Sequence, residues 1–178
     1  SDHPDKLLEA YVTGITSYIL PEFDKMMEQP QNNPYHRYNV GVHSIEAVKN
    51  IRPDVTMRWA ALLHDVGKPA THTVDENGID HFFDHPEKGV PIAESILRRL
   101  KFDNNTIKDV CTLVRWHDYG MGSVPKKCSI RKLLGEVGKD FFPYIIEIKK
   151  ADMAAQSDYN LEERQSQLEA LEKKYVEI

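Results

Sequence analysis

Apolar residues three and four apart run through most of this 178-residue chain, and four of those stripes each carry a residue that hydrophobicity does not explain. Val40, His43, Ala47 and Ile51 share one face; Met57, Ala60, Ala61 and His64 share the next, with Asp65 immediately after. Ile107, Val110, Val114 and His117 form a third, and Ile145, Ile148 and Asp152 a fourth. A carboxylate carried into an interior by its helix is costly unless a cation or several hydrogen bonds compensate it. The pattern therefore predicts an all-α fold, a bundle of about seven or eight helices, with imidazoles and acids facing its centre.

Helices are expected near 5–20, 38–51, 54–65, 87–100, 104–118, 129–135, 140–157 and 160–176. Turn formers at Pro21, 29–34, Pro53, 75–78 and 120–125 separate them, and only short pieces such as 79–83 alternate like a strand. Asp54 is placed to cap the helix that carries Trp59, while Gly67 followed by Pro69 marks where that helix stops. Leu161, Leu168 and Leu171, spaced among Glu, Arg, Gln and Lys, describe a half-exposed last helix stabilised by charge pairs. The length suits one domain, read as a helical extension over 1–30, a core over 31–160 and a last helix over 161–178.

A chain with 40% hydrophobic and 29% charged residues is globular rather than disordered. Its formal charge of -5 gives no general attraction to polyanions. Arg98, Arg99 and Lys101, or Lys126, Lys127, Arg131 and Lys132, form either a local cationic patch or solvated helix faces. No run approaches the roughly 18 apolar residues of a membrane helix, and the first residues lack the pattern of a secretory signal. Cys111 and Cys128 form no C-x-x-C pair and suit a reducing compartment, so a soluble, cytoplasmic protein is expected.

The same cysteine count excludes a closed thiolate zinc site. Mixed imidazole and carboxylate donors suit Mn, Ni, Co, Fe or Mg, with positions left open for chemistry. A single histidine on an apolar face, such as His43 or His117 alone, is more often a core imidazole bonded to a backbone carbonyl. The adjacent pair His64 and Asp65, just before a Gly-Lys turn and between two further stripes, argues for ligands instead.

The order His43, then LLHDVGK at 62–68, then a distant Asp152 resembles the HD phosphohydrolase superfamily, whose signature is H…HD…D on an all-helical core. The segments QNNPYH at 31–36, HFFDHPEKG at 81–89, ILRRLKF at 96–102 and LVRWH at 113–117 are similar to the HD domain of bacterial CCA-adding enzymes, the tRNA nucleotidyltransferases. That resemblance runs from about Gln31 to about Asn160 and gives the core its reading as an HD phosphohydrolase domain. A nucleotidyltransferase head would carry a Gly-rich motif with paired carboxylates, and none lies upstream of Gln31; these residues are not expected to add CCA alone, whether as a stand-alone relative or as part of a longer protein. Gly41 and Val42 stand before His43 where relatives usually have Trp-Glu, which alters the ligand's surroundings.

The resemblance implies that His43, His64, Asp65 and Asp152 bind one firm divalent ion. His85 and His117 match positions that supply a second ion bridged by Asp65, or else they orient substrate. Asp65, Lys68, His85 and His117 are the expected catalytic set, with Lys68 neutralising transition-state charge and His81 a candidate substrate contact. Asp118 is either a proton shuttle or a helix end, the latter preferred, and His3, His36 and His72 read as ordinary surface or packing residues. The implied substrates are nucleotide-like phosphoesters such as 2′,3′-cyclic phosphates or 2′-nucleotides; the competing reading is a tRNA-binding module with a structural metal.

Overall fold

The computed structural model describes residues 3–120 and 122–178; Ser1 and Asp2 of the 1–30 segment and Met121 of the 120–125 turn lie outside them. In chain order the helices are α1 (Lys6–Val12), α2 (Thr16–Ile19), α3 (Pro21–Glu28), α4 (Val40–Lys49), α5 (Val55–Leu63), α6 (Lys68–Thr71), α7 (His85–Arg99), α8 (Asn104–Trp116), α9 (Lys127–Val137), α10 (Phe142–Ala155) and α11 (Leu161–Val176). Strands β1 (Thr73–Val74) and β2 (Asp80–His81) pair antiparallel, with Thr73 opposite His81, and are the only strands among the described residues. The all-α expectation holds; seven of the eight anticipated helices are present, the one expected over 5–20 is divided, and α3 and the short α6 are additional.

Two helical stretches differ from expectation for local reasons. The helix expected over 5–20 is broken where Gly14 takes φ 75°, and the Gly14 and Ile15 amides turn back to the Tyr11 and Ala10 carbonyls. α3 is an additional helix with Pro21 at its start, burying Phe23 and Met26. Gly41 makes this possible: a Cβ there would fall 2.9 Å from the Met27 backbone nitrogen, so α3 lies against α4 more closely than any larger residue allows.

Side-chain caps fix where the site-bearing helices begin. Asn39 accepts from the Val42 amide at 2.8 Å, Asp54 from Met57 at 3.0 Å, and Asp103 from Asn105 and Thr106. α10 is buried on several faces, with Phe142, Ile145, Ile148 and Ala151 all inaccessible, and packs on α4, α5 and α8. α7 and α8 form the most extensive helix pair. His43, His64, Asp65, His85, His117 and Asp152 thus project from five neighbouring helices or their ends into one interior region.

Gly67 was expected to mark where the Trp59 helix stops, and α5 does end shortly before it, at Leu63; the Gly67 φ is -79°, an ordinary helical value. Its glycine has another cause. A Cβ at this position would meet the His85 carbonyl oxygen at 2.1 Å and the Gly89 nitrogen at 2.7 Å, so the turn after Asp65 rests directly on the backbone of α7. Gly67→Ala should therefore cost about 1–3 kcal/mol in urea unfolding, the range for overpacked interiors. An unchanged midpoint would mean that α7 shifts without penalty.

Candidate metal centre

Three of the four imidazoles are oriented by their own local backbone, and the fourth by a carbonyl of α10. His64 Nδ1 lies 2.7 Å from the Ala61 carbonyl, His117 Nδ1 2.8 Å from Val114, and His85 Nδ1 2.8 Å from Phe82; His43 Nδ1 is 3.4 Å from the Ala155 carbonyl. A carbonyl can only accept, so Nδ1 carries the proton in each ring and the Nε2 lone pair is left facing the interior. Those Nε2 atoms meet in pairs, His43 with His64 at 3.2 Å and His85 with His117 at 3.1 Å. Two lone pairs that close repel unless a proton or a cation lies between them.

The carboxylates complete the arrangement. Asp152 Oδ1 is 2.9 Å from His43 Nε2 and 3.6 Å from His64 Nε2. Asp65 faces both pairs: Oδ2 lies 3.5 Å from His43 and 3.2 Å from His64, whereas Oδ1 lies 3.1 Å from His85 and 3.6 Å from His117. Donors held about 2.1 Å from one ion sit about 3.0 Å apart in an octahedron and about 3.4 Å apart in a tetrahedron, the range seen here. Asp65 Oδ2 is buried without a hydrogen bond, for Lys68 Nζ at 2.7 Å lacks hydrogen-bond geometry. His43, His64 and Asp152 form one group able to hold a metal ion, and Asp65, His85 and His117 form a second.

Electrostatics agree with the geometry. Burial pulls the His64 imidazole down, but the Asp65 and Asp152 carboxylates outweigh it and push it up to about 10. Burial raises Asp65, yet His64, Lys68 and His117 leave it well below the carboxylate range, as His43 and His64 do for Asp152. His85 is also raised: burial opposes protonation, and Asp65 and Asp118 overcome it.

The family model described as HD domain matches residues 35–154. The chain belongs to the HD domain family. Membership supports metal-dependent phosphohydrolase chemistry at the level of the superfamily. Among curated proteins it is similar to the A-adding tRNA nucleotidyltransferase of Deinococcus radiodurans, at 30% identity over 84% of this chain and 35% of that one. It is likewise similar to the CC-adding tRNA nucleotidyltransferase of Thermus thermophilus, at 31% identity over 84% and 35%, and to the multifunctional CCA protein of Actinobacillus pleuropneumoniae, at 32% over 57% and 26%. The chain thus spans about a third or less of the length of these relatives. No helix among the described residues is long and apolar enough to cross a membrane.

The HD domain opens on one side into a cavity of about 570 Å³ whose wall includes Asp65, Asp152, Lys68, His85 and His81. Lys68 is buried rather than solvated: Gln31 Oε1 accepts from its Nζ at 2.7 Å, and the Phe82 ring lies 5.4 Å away. His81 reaches the cavity wall while bonding Asp75 at 3.0 Å and stacking on Phe83. His72 is a packing residue, bonded to Asp80 at 2.7 Å and stacked on Phe82, and Asp80 in turn accepts from the Asn32 amide at 2.7 Å. That chain of contacts fastens the hairpin to the 29–39 loop, over the site.

Several side chains at the centre were read otherwise from sequence, or not singled out at all. Asp118 does not serve as a helix cap; its oxygens lie 3.3 Å from His85 Nε2 and 3.5 Å from His117 Nε2, and an acid at a helix C-terminus is unfavourable without such partners. His36 is more than a packing residue, since it meets His43 edge-on at 5.1 Å and lines the cavity. Burial, with Lys68 and His43 nearby, holds it down to about 3, so it is neutral at physiological pH. Lys149 is buried and donates to the His117 carbonyl at 3.2 Å; lying one turn before Asp152, it was on the stripe already identified. Gln156 is uncharged and carried no signal in sequence, and Gln31 stood out only as the first residue of QNNPYH. Within the cationic runs, Arg98 pairs with Glu94, Arg99 with Glu22 and Lys127 with Glu177.

Protons and a divalent ion compete for the same Nε2 atoms. With His64 at about 10, its proton stabilises the chelated protein fully below its ordinary value of 6.5, and that contribution is lost as pH rises through about 10. Between about pH 7 and 9 metal binding should release about one proton and tighten about tenfold per pH unit. Calorimetry in buffers of different ionisation enthalpy checks this, and binding without proton release would rule His64 out as a ligand.

Proposed function

We propose that this HD domain is a metal-dependent phosphohydrolase in which His43, His64, Asp65 and Asp152 hold one divalent ion, acting on small nucleotide-like phosphoesters. The observation that carries the proposal is the convergence of four Nδ1-anchored imidazoles on the two oxygens of one buried carboxylate. An ion of the Mn, Ni, Co, Fe or Mg group supplies Lewis acidity and a water activated near neutral pH. His85 and His117, with Asp118, would take a weaker second ion or hydrogen-bond the phosphoryl oxygens. Lys68, fixed by Gln31 beside Asp65, would offer its remaining N–H groups to the charge that develops on phosphorus-bound oxygen.

The cavity wall favours a substrate with few charges. Asp84, Glu87, Asp118 and Glu163 line it along with the proposed ligands, against Lys68 and Arg164 as its cations, so an extended polyanion is repelled where a single phosphate can enter with an ion. Phe83 is 71% exposed, and Tyr35 and Tyr159 meet edge-on at 5.0 Å nearby, which gives a nucleobase aromatic faces to stack on. His81, stacked on Phe83, belongs to that surface and is proposed as a substrate contact.

The catalytic unit is proposed to be 31–160, flanked by 1–30 and 161–178, in a cytoplasmic protein. The names of the relatives favour a second reading, a tRNA-handling module whose ion is structural. Titration with labelled tRNA separates the two: salt-sensitive binding without turnover supports the module, and turnover without binding supports the hydrolase.

Asp65→Ala removes the carboxylate whose two oxygens face both imidazole pairs. It should abolish stoichiometric metal and lower kcat/KM on a phosphodiester reporter by at least about 1,000-fold across Mn, Ni, Co and Mg. Undiminished turnover in that variant would end the proposal.

A further inference from the structure

Asp152 is held from two sides. His43 Nε2 approaches Oδ1 at 2.9 Å, and the Gln156 side-chain nitrogen, one helical turn later, lies 3.2 Å from both Oδ1 and Oδ2. A carboxamide has a donating and an accepting end, and nothing about Asp152 alone prevents the wrong end from turning toward it. Arg164 removes that ambiguity. Its Nη1 donates to Gln156 Oε1, and a guanidinium has only donors, so the amide oxygen must face Arg164 and the NH₂ must face the carboxylate.

The relay is itself anchored. Arg164 is only 8% exposed, donates through Nη2 to the Ser157 carbonyl and lies 5.9 Å from the centre of the Tyr35 ring. Arg37 Nε donates to the Gln156 carbonyl at 3.0 Å, fixing the backbone from the other side. Gln156 and Arg164 both lie beyond the matched span of 35–154, and Arg164 belongs to α11, a helix expected from sequence to be half-exposed and held by charge pairs.

We propose that Arg164 is a positioning residue for the metal centre, acting through Gln156 to fix the orientation of the Asp152 carboxylate. This rests on the assignment of Asp152 as a ligand. Without Arg164, the Gln156 amide can rotate and set its oxygen against a buried carboxylate, two acceptors face to face. The centre then has to reorder Asp152 each time an ion enters, and affinity falls although every ligand is present.

The test is a double-mutant cycle read as metal affinity, by competition of Mn²⁺ against a chelating fluorophore, with thermal midpoints of the chelated proteins measured alongside. Arg164→Met and Gln156→Leu should each weaken binding about 10–100-fold, and the double variant should be no weaker than Gln156→Leu alone. Arg164→Lys, which keeps a donor-only group at the amide oxygen, should recover part of the loss. Gln156→Glu guards against a misfolded Arg164→Met: it preserves the Arg164 contact but removes the donor to Asp152, so it too should weaken Mn²⁺ binding. Unchanged affinity in Arg164→Met or in Gln156→Glu would overturn the relay, as would losses that simply multiply in the double variant. Asp152→Asn tells the two levels apart, because if that change leaves affinity intact, the ligand assignment falls together with the relay.

Discussion

Everything in this fold is arranged around the electrostatic problem of Asp65. Its carboxylate is 1% exposed, one oxygen has no hydrogen bond, and four imidazole lone pairs are aimed at it or past it. Acceptors brought together in this way repel unless positive charge lies among them. Lys68 supplies one cation from the side, and protons or metal ions must supply the rest. The interior is thus a site for cations before it is anything else, and phosphoester chemistry is a use to which such a site can be put.

The surrounding structure maintains that arrangement through backbone rather than through long side chains. Three of the imidazoles bond a carbonyl three residues earlier in their own chain, so each ring is oriented by the helix end or turn that carries it. Gly67 lets the turn after Asp65 rest on α7, which sets the separation between Asp65 and His85. Lys149 ties the end of α8 to α10 beneath the same cluster. Rigid elements meeting at short distances leave little conformational freedom to be lost when an ion binds.

The legible part of the sequence was the part in which an ionisable residue interrupts an apolar stripe. His43, His64, His117 and Asp152 announced themselves in that way, and the same periodicity located the helices that carry them. What stayed hidden had no such contrast. Gln31 and Gln156 are neutral and common, so only their partners reveal that they are buried. Arg164 sits in a segment whose charges are otherwise solvated, and nothing in its spacing separates it from them. Asp118 follows a helix end, where an acid ordinarily marks a turn. Gly67 was legible as a helix stop, but its close approach to the backbone of α7 was not, because sequence shows a glycine without showing what lies against it.

The proposed chemistry depends on one location in space. Crystals grown with manganese, with diffraction data collected to bring out its anomalous scattering, would report that location directly. A peak is predicted about 2.0–2.3 Å from His43 Nε2, His64 Nε2 and one oxygen each of Asp65 and Asp152, with any weaker peak lying on the His85 and His117 side. A fully formed crystal with no anomalous density among those residues, or with manganese bound only at acids on the outer surface, would contradict it.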